Sequence, residues 1–158
     1  MLNIVLTRID DRLIHGQVMT AWVKNTKANR IIVVDDDVYK DPFMEQVLKM
    51  AAPTGVKVDV YDIKTAISVL NDSGNAEERV IVLAKFPKTV LSIIEGGVAI
   101  KSLNIGGMGA GIGRKPFYKN ISASEEERGI FKRILELGTH VFVQIIPDEK
   151  EVDLRKIL

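Results

Sequence analysis

Residues 2–23 read LNIVLTRIDDRLIHGQVMTAWV, and this one stretch holds a strand, a loop and a helix. Leu2-Asn3-Ile4-Val5-Leu6 is a short apolar run of the kind that forms a buried strand. Gln17 to Val23 carries its apolar residues at helical spacing and predicts a helix from about Gly16 to Lys24. His15 therefore falls in a strand-to-helix loop, close to a helix N-terminus. In an open α/β sheet that edge is where ligands and chemistry are placed.

The same alternation runs on through the chain. Arg30–Asp35, Val56–Tyr61, Arg79–Ala84, Ser102–Ile105 and Val141–Ile146 read as further strands, the last ended by Pro147. Pro42–Met50 opens on a proline that suits the first turn of a helix. Ile63–Leu70 has Asp62 before it as an N-cap, and Pro87–Glu95 is a further helix. Ser124–Leu137 is the most complete helix signal, with Ser124 as cap, Glu125, Glu126 and Glu127 in its first turn and Gly138 as its stop. Continuous apolar strands between helices predict an open, predominantly parallel sheet with helices on both faces. A length of 158 residues suits one domain with a single core, residues 1–158.

Composition excludes several classes of function. The formal net charge is +1, which supplies no field for nucleic acid or a membrane surface. There are no cysteines, so there is no disulfide scaffold, thiolate metal site or cysteine nucleophile. Two histidines cannot build a histidine-rich metal site. The apolar runs are far short of a bilayer span and no signal peptide is visible, which fits a cytoplasmic chain.

What remains is the chemistry around His15. Arg8, Asp10, Asp11 and Arg12 all lie within seven positions of it. A neutral imidazole carries a free lone pair near pH 7 and is a good phosphoryl acceptor. Phosphoryl transfer spreads charge over the phosphoryl oxygens, and positive charge plus positioning accelerate it. Arg8 and Arg12 are the candidate cations, since a guanidinium grips phosphate oxygens bidentately. The amides of Gly16 and Gln17 are first-turn donors aimed at the same place. Asp10 or Asp11 is expected to fix the ring tautomer or to hold the arginines. His140 lacks this context and reads as structural, as do Trp22 and Phe43 as packing residues.

Three further stretches reach the same sheet edge. Gly106-Gly107-Met108-Gly109-Ala110-Gly111-Ile112-Gly113-Arg114-Lys115 follows a strand, and reads either as a phosphate cradle or as a mobile surface loop. Its spacing fits neither the dinucleotide fingerprint nor the Walker pattern. Asp35-Asp36-Asp37 reads as caps and turn residues rather than a Mg²⁺ site. Phe86-Pro87 offers an apolar contact patch.

The run RIDDRLIHGQV (Arg8–Val18) resembles the signature of the enzyme IIB components of the mannose/fructose/sorbose-type bacterial sugar phosphotransferase system. IIVVDD (Ile31–Asp36), LNIGGM (Leu103–Met108) and FVQIIP (Phe142–Pro147) follow in the expected order, so the resemblance covers nearly the whole chain. It implies that His15 is phosphorylated by the phosphohistidine of enzyme IIA. It also implies that His15 then passes the group to a sugar entering through the membrane components IIC and IID, with Arg12 stabilising the phosphoryl group and no metal or organic cofactor needed. The VDLRKIL tail (Val152–Leu158) points to the N-acetylgalactosamine and hexosamine subtype, from whose loop pattern NIGGMGAG (104–111) departs. Two rival readings stand beside this one. In the first, a non-catalytic module holds a phosphorylated metabolite with Arg8, Arg12 and Gly106–Gly113. In the second, a phosphatase-like or isomerase enzyme uses His15 as an acid/base group.

Overall fold

The computed structural model describes residues 1–74 and 77–158. Its elements are β1 (Ile4–Asp10), α1 (Gly16–Thr26), β2 (Arg30–Val34), α2 (Asp36–Tyr39), α3 (Pro42–Ala51), β3 (Lys57–Tyr61), α4 (Ile63–Asn71) and β4 (Val80–Ala84). They continue with α5 (Pro87–Glu95), β5 (Ser102–Gly107), β6 (Lys115–Tyr118), β7 (Ile121–Ala123), α6 (Glu125–Glu136), β8 (His140–Val143) and β9 (Val152–Asp153). Strands β3-β2-β4-β1-β5-β8 form a parallel sheet, and β9 closes one edge antiparallel to β8.

The apolar strands are explained by burial on both faces. Ile31, Val33, Ile81 and Leu83 pack with Met19 of α1 and Leu48 of α3. Their neighbours in sequence, Ile32, Val34, Val80 and Val82, face Ala66 and Leu70 of α4 and Ile93 of α5. Phe131 and Ile134 of α6 cover Leu103 and Ile105 of β5 and Val141 and Val143 of β8. Each such side chain removed from water contributes roughly 1.5–3 kcal/mol. The caps fall as expected: Asp62 accepts from the Thr65 amide, and Ser124 and Glu127 form a reciprocal capping box on α6.

Several expectations need correction. The first strand is not Leu2–Leu6: it runs on to Asp10, so Arg8 and Asp10 are strand residues and not loop residues. Hydropathy ends the strand early because its last residues are charged, yet they pair beside Asn104 and Gly107 of β5, with a shift of register between Ile9 and Asp10. The glycine-rich stretch is only partly a loop, since Gly106 and Gly107 complete β5 and Lys115 begins the β6–β7 hairpin. The last parallel strand stops at Val143, and the short β9 pairs with it. Phe43 is 76% exposed and is not a packing residue.

The topology decides where a site can form. From β1 the chain crosses to β2 on one side, and from β5 it crosses to β8 on the other. The carboxyl ends of β1 and β5 thus border the point where the connections diverge, which is where open sheets of this kind bind ligands.

Candidate active site

The loop after β1 is held tightly. The Asp11 amide donates to the Gly107 carbonyl at 3.1 Å and the Leu13 amide to the Asp10 carbonyl at 2.9 Å. Leu13 sits in the left-handed region at φ 57°, a conformation that costs a leucine roughly 1–3 kcal/mol. Burial of Leu13 and Ile14 in the core offsets that cost. The two apolar residues point inward, and Arg12 and His15 are left facing out, with side chains 55% and 25% exposed. His15 is the N-cap residue of α1 in an extended conformation, and its side chain makes no capping bond. Gly16 follows at φ 44°, a value that favours glycine, and nothing crowds its Cβ position. The first-turn amides of Gly16 and Gln17 therefore open beside the imidazole.

Asp10 is the hub of the site. Its Oδ2 lies 3.0 Å from His15 Nε2 and accepts from Arg8 Nη2 at 3.2 Å. Its Oδ1 accepts from the Arg12 amide at 3.1 Å and from Arg12 Nε at 3.2 Å. Burial by itself raises the carboxyl pKa, but bonds from Arg12 and His15 and the charge of Arg8 outweigh it and hold Asp10 below its ordinary 3.8. Glu127 behaves alike: burial raises it, and the Arg114 guanidinium and the Ser124 amide bring it below its ordinary 4.5. A carboxyl with a depressed folded pKa adds stability that is complete above the unfolded value and lost as pH falls through the folded one. The expected result is a urea midpoint that falls steeply below about pH 4. A midpoint unchanged between pH 7 and pH 3 would contradict the ionised carboxylates.

Arg8 does not stand where a phosphate-binding residue must. Its side chain is 0% exposed, it lies 5.4 Å from the Trp22 ring, and its Nη1 is taken by Asn104 Oδ1 at 2.6 Å and the Gln144 carbonyl at 3.1 Å. It supplies charge from beneath Asp10 and makes no outward contact. Two glycines make room for this arrangement. A Cβ at Gly106 would collide with the Arg8 guanidinium, and one at Gly107 with the Asp10 carboxylate.

Asp11 separates from Asp10 in role. It leaves His15 alone, accepts from the Gly109 amide at 2.8 Å and faces Arg114 at 3.5 Å. Arg114 in turn makes a bidentate pair with Glu127, both bonds at 2.9 Å, and donates to the Gly109 carbonyl. The glycine-rich loop is thus latched between the active-site loop and α6, and its arginine is engaged. Asp35 caps α2, and Asp36 accepts from the Ile63 amide, so both serve as turn and cap groups. Phe86, 44% exposed, and the fully exposed Ile112 border a cleft of about 580 Å³ beside Asp11. Trp22 packs as expected and donates its Nε1–H to the Ile145 carbonyl. His140 stacks on Phe142 far from this group, consistent with a structural part. Sequence reasoning missed Asn104, Gln144 and the latch. The signal for the first was visible, an amide in the middle of the apolar strand LNI.

A partly exposed imidazole seated on a buried carboxylate, flanked by a guanidinium and helix amides at the carboxyl edge of a parallel sheet, defines a site with a nucleophile and a charge-stabilised surface for an anionic group. The comparisons make this particular. Residues 4–158 match the model of the "PTS system sorbose subfamily IIB component", and the chain belongs to that family. It is 38% identical over 151 residues to the sorbose-specific EIIB component of Lacticaseibacillus casei, covering 96% of this chain and 92% of that one. It is 33% identical to the N-acetylgalactosamine-specific enzyme IIB component 2 of Escherichia coli (strain K12), over 99% of both chains. The crystal structure of the IIB domain of the sorbose permease from Klebsiella pneumoniae superposes with a TM-score of 0.93 at 37% identity, covering 98% of this chain and 95% of that one. The chain is therefore a phosphotransferase component of the sorbose/mannose type, which receives a phosphoryl group from IIA and passes it to a sugar.

Proposed function

We propose that His15 is the residue that carries the phosphoryl group and that Nδ1 is the nitrogen that bears it. The observation that carries this reading is the 3.0 Å contact between His15 Nε2 and Asp10 Oδ2. Asp10 is ionised and can only accept, so Nε2 holds the ring proton and Nδ1 holds the lone pair. Nδ1 has no partner among the described residues. In the first step this lone pair attacks phosphorus on the donor phosphohistidine of IIA, and the donor's P–N bond breaks with its electrons returning to the donor ring. In the second, a sugar hydroxyl oxygen attacks phosphorus, the P–Nδ1 bond breaks and the hydroxyl proton is released. Arg12 and the amides of Gly16 and Gln17 receive the phosphoryl oxygens, while Arg8 contributes charge from below. The test is to incubate the protein with phosphorylated IIA and map the label. Acid-labile phosphate at His15 is expected, and its absence there sinks the reading.

Arg12 gives a graded prediction. An Arg12→Ala variant loses an exposed cation and keeps the core, so its melting temperature stays within a few degrees while phosphoryl uptake slows roughly 10²-fold. Uptake at the wild-type rate would remove Arg12 from the site.

The partners follow from the same reading: IIA as donor, and the membrane components IIC and IID with the bound sugar as acceptor. Exposed Phe86 and Ile112 beside the site support docking of proteins rather than a closed small-molecule pocket. No helix among the described residues is long and apolar enough to cross a membrane. This supports a cytoplasmic chain that works at the surface of its transporter. Among mannose-family sugars, the tail Val152–Leu158 supports N-acetylgalactosamine. Assaying product with vesicles that carry the cognate membrane components, fed N-acetylgalactosamine or sorbose, decides between them.

A further inference from the structure

We propose that Asn104 is a positioning residue for phosphoryl transfer, acting on His15 through Arg8 and Asp10. The inference rests on His15 as the carrier.

Asn104 lies on β5 and is 0% exposed. Its Oδ1 accepts from Arg8 Nη1 at 2.6 Å, and its Nδ2 donates to the Gln144 carbonyl at 2.9 Å. The same carbonyl also accepts from Arg8 Nη1 at 3.1 Å. One amide thus fixes one end of the guanidinium, and the other end, Nη2, meets Asp10 Oδ2. That oxygen is the one 3.0 Å from His15 Nε2. The path from Asn104 to the imidazole is a continuous series of hydrogen bonds, and its first three side chains are wholly buried.

The cage around Arg8 is built for charge and not for stability. Trp22 faces the guanidinium on α1, and Gly106 lies where any side chain would strike it. Arg8 Nε is buried with no hydrogen-bond partner. An orphaned buried N–H is a cost that cores normally avoid, and a site that tolerates one generally has a use for the group. The use here follows from charge. An incoming phosphoryl group is anionic, and Asp10 alone would repel it. With Arg8 beneath and Arg12 beside, the trio carries one net positive charge. Asp10 can then hold the Nε2 proton without opposing the phosphoryl group. Asn104 sets where that buried cation lies, because it supplies the shortest bond the guanidinium makes.

The test uses two variants and a readout that simple loss of folding would not move. Asn104→Leu keeps the branching of the side chain with some added bulk and removes both bonds. Asn104→Asp keeps an acceptor for Arg8, loses the donor to Gln144 and adds a buried negative charge against the guanidinium. In ¹⁵N-histidine spectra at pH 8, the wild-type His15 is expected as the Nε2–H tautomer. In Asn104→Leu the Nδ1–H form rises, and the initial rate of uptake from phosphorylated IIA falls about tenfold per folded molecule. In Asn104→Asp the acceptor for Arg8 remains, so the Nε2–H tautomer stays, but the added buried charge cancels the trio's positive charge and the rate falls about tenfold. A folded Asn104→Leu with wild-type tautomer and rate overturns the proposal. So does a wild-type ring that is mainly Nδ1–H. If Asn104→Leu does not fold, Asn104→Asp decides: a wild-type rate there overturns it. Failure of wild-type His15 to take label at all would instead strike the carrier reading.

Discussion

A His15→Ala variant is expected to take no phosphoryl group from IIA, with a rate reduced by at least about a thousandfold, the scale set by loss of a nucleophile. The fold is expected to survive. The His15 side chain is partly exposed, caps nothing and has one side-chain partner, Asp10, which keeps Arg8 and Arg12. Losing that one contact costs on the order of 1 kcal/mol. His15→Asn sharpens the comparison. Asparagine at an N-cap bonds the first-turn amides of a helix, and α1 lacks any such bond in the wild type. His15→Asn is therefore expected to match or exceed wild-type stability while remaining inactive. Activity and stability then move in opposite directions, which no account based on misfolding reproduces. His140, the other histidine, is 46% exposed and serves as an internal control. Acid-labile label at His140 in either variant, or undiminished transfer, would overturn the assignment.

The parallel sheet was legible because its strands are buried on two faces. RIIVV and VIVLA carry no alternation, and a two-sided sheet is the arrangement in which every residue of such a run finds an apolar neighbour. The caps were legible because they are local: Asp62 and Ser124 satisfy amides three residues away. Where the sequence misleads, distant partners are responsible. Leu2–Leu6 ends by hydropathy at the first charges, but Arg8 and Asp10 continue the strand because each neutralises the other inside the core. The β6–β7 hairpin is equally hidden. A bond from the Ser122 amide to the Met108 carbonyl ties it down across the glycine stretch, and no period in the sequence announces it.

The site divides along the same line. His15 was visible from position alone, at the end of a strand and the start of a helix. Arg12 and Arg8 looked equivalent, two cations near one imidazole. Strand alternation separates them: Arg8 lies within β1 and turns to the α1 face under Trp22, whereas Arg12 lies past the strand end and turns outward. Asp10 and Asp11 are adjacent, so they also point apart, one to His15 and the other to the glycine loop. The decisive companions, Asn104 and Gln144, stand 96 and 136 residues from Arg8. Only the sheet brings β5 and the end of β8 to β1.

Removal of the Asp10 carboxylate is the most damaging single change the structure identifies short of the nucleophile. In Asp10→Ala, Arg8 stays buried with its charge unopposed, since Asn104 and the Gln144 carbonyl are neutral. Breaking a buried ion pair from one side costs about 3–5 kcal/mol, a large share of the roughly 5–15 kcal/mol that holds a domain together. At about 2–4 °C per kcal/mol for a chain of this size, the melting temperature falls by roughly 6–20 °C. Transfer suffers separately. Nε2 loses its acceptor, so the ring proton redistributes onto Nδ1, and Arg12 loses the anchor for its amide and its Nε. A loss of about 10²-fold in uptake is expected, the scale of a misplaced reacting group. A double variant separates the two effects. Arg8→Met with Asp10→Ala removes both charges and leaves an apolar side chain against Trp22, an exchange that is often neutral for stability. The double variant is expected to melt well above Asp10→Ala and to transfer no faster. If the second change restores the rate together with the melting temperature, Asp10 serves the fold alone and does not orient the imidazole. If the rate stays low in a protein that is stable again, the buried pair exists to aim His15.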